Sequence, residues 1–265
     1  MNLQKLTAKV AELAKEVGAF IREEDKHFDQ QHIEFKGLND LVSYVDKTAE
    51  QKIVKKLEEL LPEAGFVTEE KTINKTGEVF NWIVDPLDGT TNFIHGLPTY
   101  SISIALQQNN ELVLGVVYEV NRDECFCAWK DGGAYLNGRK ISVSSNETIG
   151  KSLIATGFPF YNFEKLEQYI NVFREITQKC HGLRRIGSAA VDLAYTACGR
   201  FDAYFEYNLN LYDIAAGMVL VREAGGETMN FSGENEFVVS REIVATNNKL
   251  TKSLLDIIQP HFDIK

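Results

Sequence analysis

The chain has 265 residues, 44% of them apolar and 25% charged, enough for one large domain or two intimate halves and too apolar for general disorder. Lysine and arginine number 28 against 38 aspartates and glutamates, a net charge of −10. That balance argues against nucleic acid or an anionic membrane surface as the main partner.

Leu3, Leu6, Val10, Leu13, Val17 and Phe20 recur at steps of three and four and predict an amphipathic N-terminal helix. Lys5, Lys9, Glu12, Lys15, Glu16 and Arg22 interrupt this region, so it has no apolar signal core. A second helix fits Lys47 to Leu61, with Pro62 just past its end. Strands follow at Val79 to Val84, Ser101 to Leu106, Leu112 to Val120 and Glu124 to Trp129, with Asn109-Asn110 and Asp131-Gly132-Gly133 as turns. This run reads as an antiparallel sheet. After the polar stretch Ser142 to Ser152, strands at Ser152 to Thr156, Gly182 to Ile186 and Ala203 to Tyr207 alternate with helices at Glu164 to Cys180, Ser188 to Cys198 and Asp213 to Ala224. Such alternation predicts an α/β half. The expected division is an N-terminal α+β half, 1–145, and a C-terminal α/β half, 146–265.

Cys125, Cys127, Cys180 and Cys198 form no C-x-x-C, which removes zinc-ribbon and thioredoxin-type readings. They read as small apolar residues in a reducing, cytoplasmic compartment. Gly150-Lys151-Ser152 resembles the end of a phosphate-binding P-loop, but Ser145 stands where its first glycine belongs. No G-x-G-x-x-G, G-x-S-x-G or H-E-x-x-H is present among the residues or the five histidines.

The most informative stretch is Asp85-Pro86-Leu87-Asp88-Gly89-Thr90-Thr91-Asn92, directly after the apolar strand residues Trp82-Ile83-Val84. Pro86 disfavours helical backbone at Asp85 and keeps it extended, while Asp88-Gly89 supplies turn chemistry. Asp85, the Leu87 carbonyl and Asp88 can then point to one place at a strand end, and such hard oxygen donors suit Mg²⁺. If a helix begins at Gly89 and Thr90, their N–H groups can face an anion. Glu69-Glu70 precedes the strand by a short loop, and Asp213 sits at a helix start where a carboxylate suits the N-cap. Gathered in one cleft, Glu69, Asp85, Asp88 and Asp213 could not all stay ionised without cations. Metal ions would let an acidic cleft bind a phosphate.

Together with Glu69-Glu70 and Tyr212-Asp213-Ile214-Ala215-Ala216-Gly217, the string Asp85 to Asn92 resembles the inositol monophosphatase family of magnesium-dependent, lithium-sensitive phosphatases. Lys36-Gly37-x-x-Asp40-Leu41-Val42-x-x-x-Asp46 is similar to that family's mobile-loop segment. Gly187-Ser188-Ala189-Ala190 and Gly199 to Glu206 are similar to its substrate-side segments. The resemblance implies a layered α-β-α-β-α sandwich, usually a homodimer, with two to three Mg²⁺ ions per active site. It implies that Glu69, Asp85 and the Leu87 carbonyl hold a first ion, that Asp85, Asp88 and Asp213 hold a second, and that a weaker third lies beside Glu69. It further implies Glu69, Thr90 and Asp46 as the catalytic group, Gly89 and Thr90 as the phosphate cradle, and Lys36 on the mobile loop. Asp88, Asp213, Gly187, Ser188, Ala189 and Glu206 would face the substrate. Tyr212 replaces the family's usual Trp, and Thr68 and Lys71 stand where small residues are commoner.

The implied reaction is hydrolysis of small phosphate monoesters by metal-activated water, oriented by Thr90 and Glu69. Inositol monophosphate is the first expectation. The 2′-phosphate of NADP, fructose 1,6-bisphosphate and other sugar or nucleotide phosphates are alternatives. Haloacid-dehalogenase-type phosphatases use D-x-D-G-T, and the D-x-x-D spacing of Asp85 and Asp88 is one residue too long for that pattern. A non-catalytic binding or regulatory role is the remaining alternative.

Overall fold

The computed structural model describes residues 1–28, 33–37, 40–159, 162–262 and 264, with 33–37, 40–42, 238 and 239 described by backbone alone. Helix α1 (Leu3–Asp25) buries the apolar stripe through Leu6, Val10, Leu13 and Val17. Strands β1 (Ile33–Gly37) and β2 (Asp40–Ser43) pair antiparallel where the mobile-loop segment was expected. Lys36 lies in β1, but its side chain is outside the described residues. Helix α2 (Tyr44–Leu60) starts three residues before the sequence suggests, because Ser43 caps it in a reciprocal box with Asp46.

A seven-stranded sheet follows, in the order β3 (Gly65–Thr68), β4 (Phe80–Asp88), β5 (Ser101–Gln108), β6 (Glu111–Glu119), β7 (Glu124–Trp129), β8 (Gly133–Leu136) and β9 (Arg139–Ile141). Every neighbouring pair is antiparallel except β3 and β4, which run parallel. Between β4 and β5 lies the short helix α3 (Thr90–Ile94). The second sheet contains β10 (Leu153–Thr156), β11 (Gly182–Arg184), β12 (Ala203–Tyr207), β13 (Glu227–Met229) and β14 (Glu242–Thr246), in the order β11-β10-β12-β14-β13. It is mixed. The parallel pairing of β10 with β11 and β12 follows from intervening helices, whereas β14 is antiparallel to both neighbours.

Helices α1 and α2 cover one face of the large sheet, with Trp82, Ile104, Val116 and Tyr118 beneath them. On its other face lie α5 (Ala189–Ala197) and α6 (Leu211–Glu223), buried between Ile83, Val117 and Phe126 of the first sheet and Tyr204, Ile243 and Ala245 of the second. Outside the second sheet, α4 (Leu166–Lys179) and α8 (Thr251–Ile258) pack on Ile154, Phe205 and Val244, with the short α7 (Phe237–Ser240) preceding β14. The layers are therefore α-β-α-β-α. The all-round burial of α5 and α6 explains their Ala-rich sequences, since both sheets approach them closely. The four cysteines are free, and each packs on an apolar cluster. Among the described residues no helix is long and apolar enough to cross a membrane.

Candidate active site

The acidic stretch after Val84 is still strand. β4 continues to Asp88, but its register with β5 slips: Asp85 opposes Ser103 and Asp88 opposes Ser101, so the segment between them bulges. The Leu87 N–H folds back to Asp85 Oδ1 at 3.0 Å, and the Leu87 carbonyl accepts from Thr90 Oγ1 at 2.9 Å. A bulge re-aims side chains that strict alternation would send to opposite faces. Gly89 then adopts φ +95°, where an added Cβ would meet the Thr99 and Gly187 carbonyls at 3.1 and 3.2 Å. Only glycine takes that backbone without strain. Thr90 opens α3, so a helix does begin at this point, though it runs for only five residues.

Glu69 arrives from the end of β3, its N–H bonded to the Val84 carbonyl at 3.2 Å. The parallel pairing of β3 with β4 sets Glu69 beside Asp85, and the two side chains hydrogen-bond. Asp213 comes from the other end of the chain on α6. It is not the N-cap. Asn210 is, and Asp213, three residues on, accepts from the Asn210 N–H at 2.5 Å. Asp88 accepts from Ser188 Oγ at 2.6 Å and from the Ala190 N–H at 2.7 Å, so it terminates the start of α5. Asn92 ties the same region together, its amide donating to the Thr99 and Ile186 carbonyls at 2.7 and 2.8 Å.

Glu69, Asp85, Leu87, Asp88 and Asp213 line one cleft of about 510 Å³, with Gly89, Thr90, Gly187, Ser188, Ala189 and Glu206 also in its wall. Asp46 stands behind Thr90, fully buried, accepting the Thr90 hydroxyl at 2.9 Å and the Ser43 N–H and hydroxyl at 2.9 and 2.6 Å. Glu206 accepts from Tyr204 Oη at 2.5 Å, and its carboxyl occupies the space a side chain on Gly157 would need.

Electrostatics mark this cleft. Burial pushes Asp85 well above the usual carboxylate range, and Glu69, Asp88 and Asp213 add repulsion. Burial and Asp88 do the same to Asp213. Asp88 rises to about 6 through burial, restrained by its bonds to Ser188 and Ala190. Burial raises Glu206 to about 7. Arg185 beside Asp88 and Glu206, and Arg241 beside Asp213, offset only part of this. Among the described residues no three His, Cys, Asp or Glu side chains are already gathered tightly enough to hold an ion. In this arrangement their oxygens are bonded to Ser188, Ala190, Asn210 and one another. The donor set nonetheless fits a hard dication: carboxylates from three separate chain segments, Asp85 buried and Glu69, Asp88 and Asp213 partly buried, plus a backbone carbonyl, each raised carboxyl relieved by positive charge.

Several lining residues were not singled out from sequence as substrate-facing. Asp192, buried with an unpartnered Oδ1, lies one helical turn after Ser188, a spacing that could have revealed it. Arg185, Asn208 and Asn210 carry no comparable signal.

A sequence model of the inositol monophosphatase family matches residues 2–261. The Nus factor SuhB of Pseudomonas aeruginosa is 42% identical over 253 residues, which are 94% of this chain and 93% of that protein. The inositol-1-monophosphatase of Rhizobium meliloti is 40% identical, covering 86% of each chain. The solved Thermotoga maritima IMPase superposes with a TM-score of 0.87 at 30% identity, covering 98% of each chain.

Proposed function

Because the chain belongs to the inositol monophosphatase family, we propose that it is a Mg²⁺-dependent phosphomonoesterase acting on inositol monophosphate and related small polyol or sugar phosphates. The observation that carries this reading is the convergence of Glu69, Asp85, Asp88 and Asp213 on one cleft. Glu69, Asp85 and the Leu87 carbonyl would hold one ion and Asp85, Asp88 and Asp213 a second, with a third beside Glu69. Bound Mg²⁺ supplies Lewis acidity, lowering the pKa of water and offsetting phosphate charge.

The chain's own residues do the rest. The Thr90 hydroxyl shares its one proton between Asp46 Oδ1 and the Leu87 carbonyl in hydrogen bonds, leaving a lone pair to accept a hydrogen bond from the attacking water. Glu69 takes the proton as the water oxygen bonds to phosphorus and the ester P–O bond breaks. The departing alkoxide takes its proton from a solvent water in the open cleft, and Glu69 returns its proton to solvent to complete the cycle. Gly89 and Thr90, at the start of α3, offer N–H groups to the phosphate oxygens. Gly187, Ser188, Ala189 and Glu206 face the alcohol part, where the Glu206 carboxyl suits a cyclitol or sugar hydroxyl. Lys36 would belong to the loop that covers the site. A homodimer in a reducing, cytoplasmic setting completes the reading, consistent with the four unbridged cysteines.

The test is phosphate release from a panel of monoesters with Mg²⁺ and with EDTA, for the wild-type chain and Asp88→Asn. Full activity in EDTA would overturn the reading. A second reading, a binding protein without turnover, draws on the Nus factor name of the Pseudomonas relative. It would be favoured by metal binding with no turnover of any ester.

A further inference from the structure

Two cations line the cleft, Arg185 and Lys71, and neither has a part in the proposed chemistry. Lys71 lines the cleft with Glu69 and Asp85. Its side chain is exposed and makes no hydrogen bond or ion pair among the described residues. Around it the cleft is rich in acid, so an ammonium left unpaired there is notable. Its backbone is also held in place. Lys71 sits at φ 54°, a left-handed conformation uncommon for a side chain of this type. The residues on either side are clamped by one fully buried carboxylate: the Glu70 N–H donates to Glu50 Oε2 at 2.7 Å, and the Thr72 N–H and hydroxyl donate to Glu50 Oε1 at 2.8 and 2.7 Å. Three bonds from the protein interior therefore fix the tip of this turn and hold Lys71 at the cleft. Left-handed backbone at a non-glycine persists where surrounding contacts over-determine it.

We propose that Lys71 is a specificity-determining residue that takes a second anionic group, a phosphate or carboxylate carried on the alcohol part of the substrate. This rests on the phosphomonoesterase reading and adds a substrate class to it. The phosphate being transferred is served by the acidic set and its cations. A fixed point charge on a flexible stem suits a second anion, whose position varies between substrates more than the first. A polyol phosphate without that group gains nothing from Lys71.

The experiment compares three ligands on one ring: glucose 1-phosphate, glucose 1,6-bisphosphate and glucuronic acid 1-phosphate. Dissociation constants are measured by calorimetry with Ca²⁺ in place of Mg²⁺, for the wild-type chain, Lys71→Asn and Lys71→Arg. Asn tolerates left-handed backbone, so Lys71→Asn removes charge without adding strain. The expected result is that Lys71→Asn lowers the preference for the doubly anionic ligands over glucose 1-phosphate by about three- to tenfold, and that Lys71→Arg restores it. Loss with the bisphosphate alone assigns the site to phosphate, and loss with the glucuronate alone assigns it to carboxylate. An unchanged preference, or equal weakening of all three ligands, overturns the inference. The same esters assayed for phosphate release with Mg²⁺ separate the two claims. No release from any of them by the wild-type chain counts against the phosphomonoesterase reading, whereas release with an unchanged preference counts against Lys71.

Discussion

The Thr90 hydroxyl lies 2.9 Å from Asp46 Oδ1, a contact between residues 44 positions apart that joins the first turn of α2 to the end of the acidic strand. Asp46 is buried and already bonded to Ser43 through its other oxygen, so its orientation is fixed before Thr90 meets it. With its one proton shared between Asp46 and the Leu87 carbonyl, this hydroxyl is an acceptor toward the cleft. Thr90→Val, which keeps the shape and removes the hydroxyl, is expected to lower kcat by about 10²- to 10⁴-fold, the range for positioned proton-transfer groups. Asp46→Asn should lower it too, and the double variant should be little worse than either single one, because the two residues act as a unit. Steady-state kinetics on the three variants check this, and additive losses would separate the pair.

The acid cluster makes stability depend on divalent cations. Asp85, Asp88 and Asp213 are all raised by burial, and their neighbours' charges worsen this for Asp85 and Asp213. An ion that binds only the folded chain adds about 2.7 kcal/mol at 100 times its dissociation constant. For a chain of this size that corresponds to roughly 5 to 10 °C in Tm. Thermal denaturation with Mg²⁺ and with EDTA should show the shift, and Asp213→Asn should remove most of it. An Asp213→Asn chain with an undiminished Mg²⁺ shift would place the ions elsewhere.

How far the sequence reveals this site depends on the range of the interactions. Asp85 and Asp88 are legible because Pro86 and Gly89 constrain the backbone around them locally. The layers are legible in part, because strand-helix alternation forces parallel pairing of β10 with β11 and β12. The short strand β3 is not, since Gly65–Thr68 carries no alternation and owes its pairing to the edge of β4. For the same reason Glu69 reads as a loop residue, although its neighbour Thr68 is in the sheet. Asp213 reads as a cap, but the choice between it and Asn210 turns on a bond three residues long that spacing alone leaves open. The bond from Ser188 to Asp88 spans 100 positions and joins two segments that no local pattern connects.

Glu206 gives a pH dependence with a definite sign. In the folded chain burial holds this acid at about 7, above its ordinary 4.5, so folding favours the protonated form. Its contribution to stability is full below pH 4.5 and is lost as pH rises through 7. Glu206→Gln keeps an acceptor for Tyr204 and cannot ionise. With EDTA present, the urea midpoint of the wild-type chain should therefore fall more steeply between pH 4.5 and 7 than that of Glu206→Gln. Parallel curves would show that Glu206 does not set this slope.

The closeness of α5 and α6 supplies a test of packing against propensity. Gly217 lies inside α6, where replacing glycine by alanine in an exposed helix gains about 1 kcal/mol. Here an added Cβ would stand 2.4 Å from Leu193 Cβ and 2.5 Å from its Cδ1, on the facing α5. Both helices are held between two sheets, so neither can retreat without moving β-structure. Overpacking of a filled core costs about 1 to 3 kcal/mol, which outweighs the gain in propensity. Gly217→Ala should lower stability by about 1 to 2 kcal/mol in urea denaturation. Because α6 carries Asp213 and α5 begins at the groups that bind Asp88, the same substitution should weaken the Mg²⁺-dependent rise in Tm. A more stable Gly217→Ala chain would mean that Leu193 has room to turn aside.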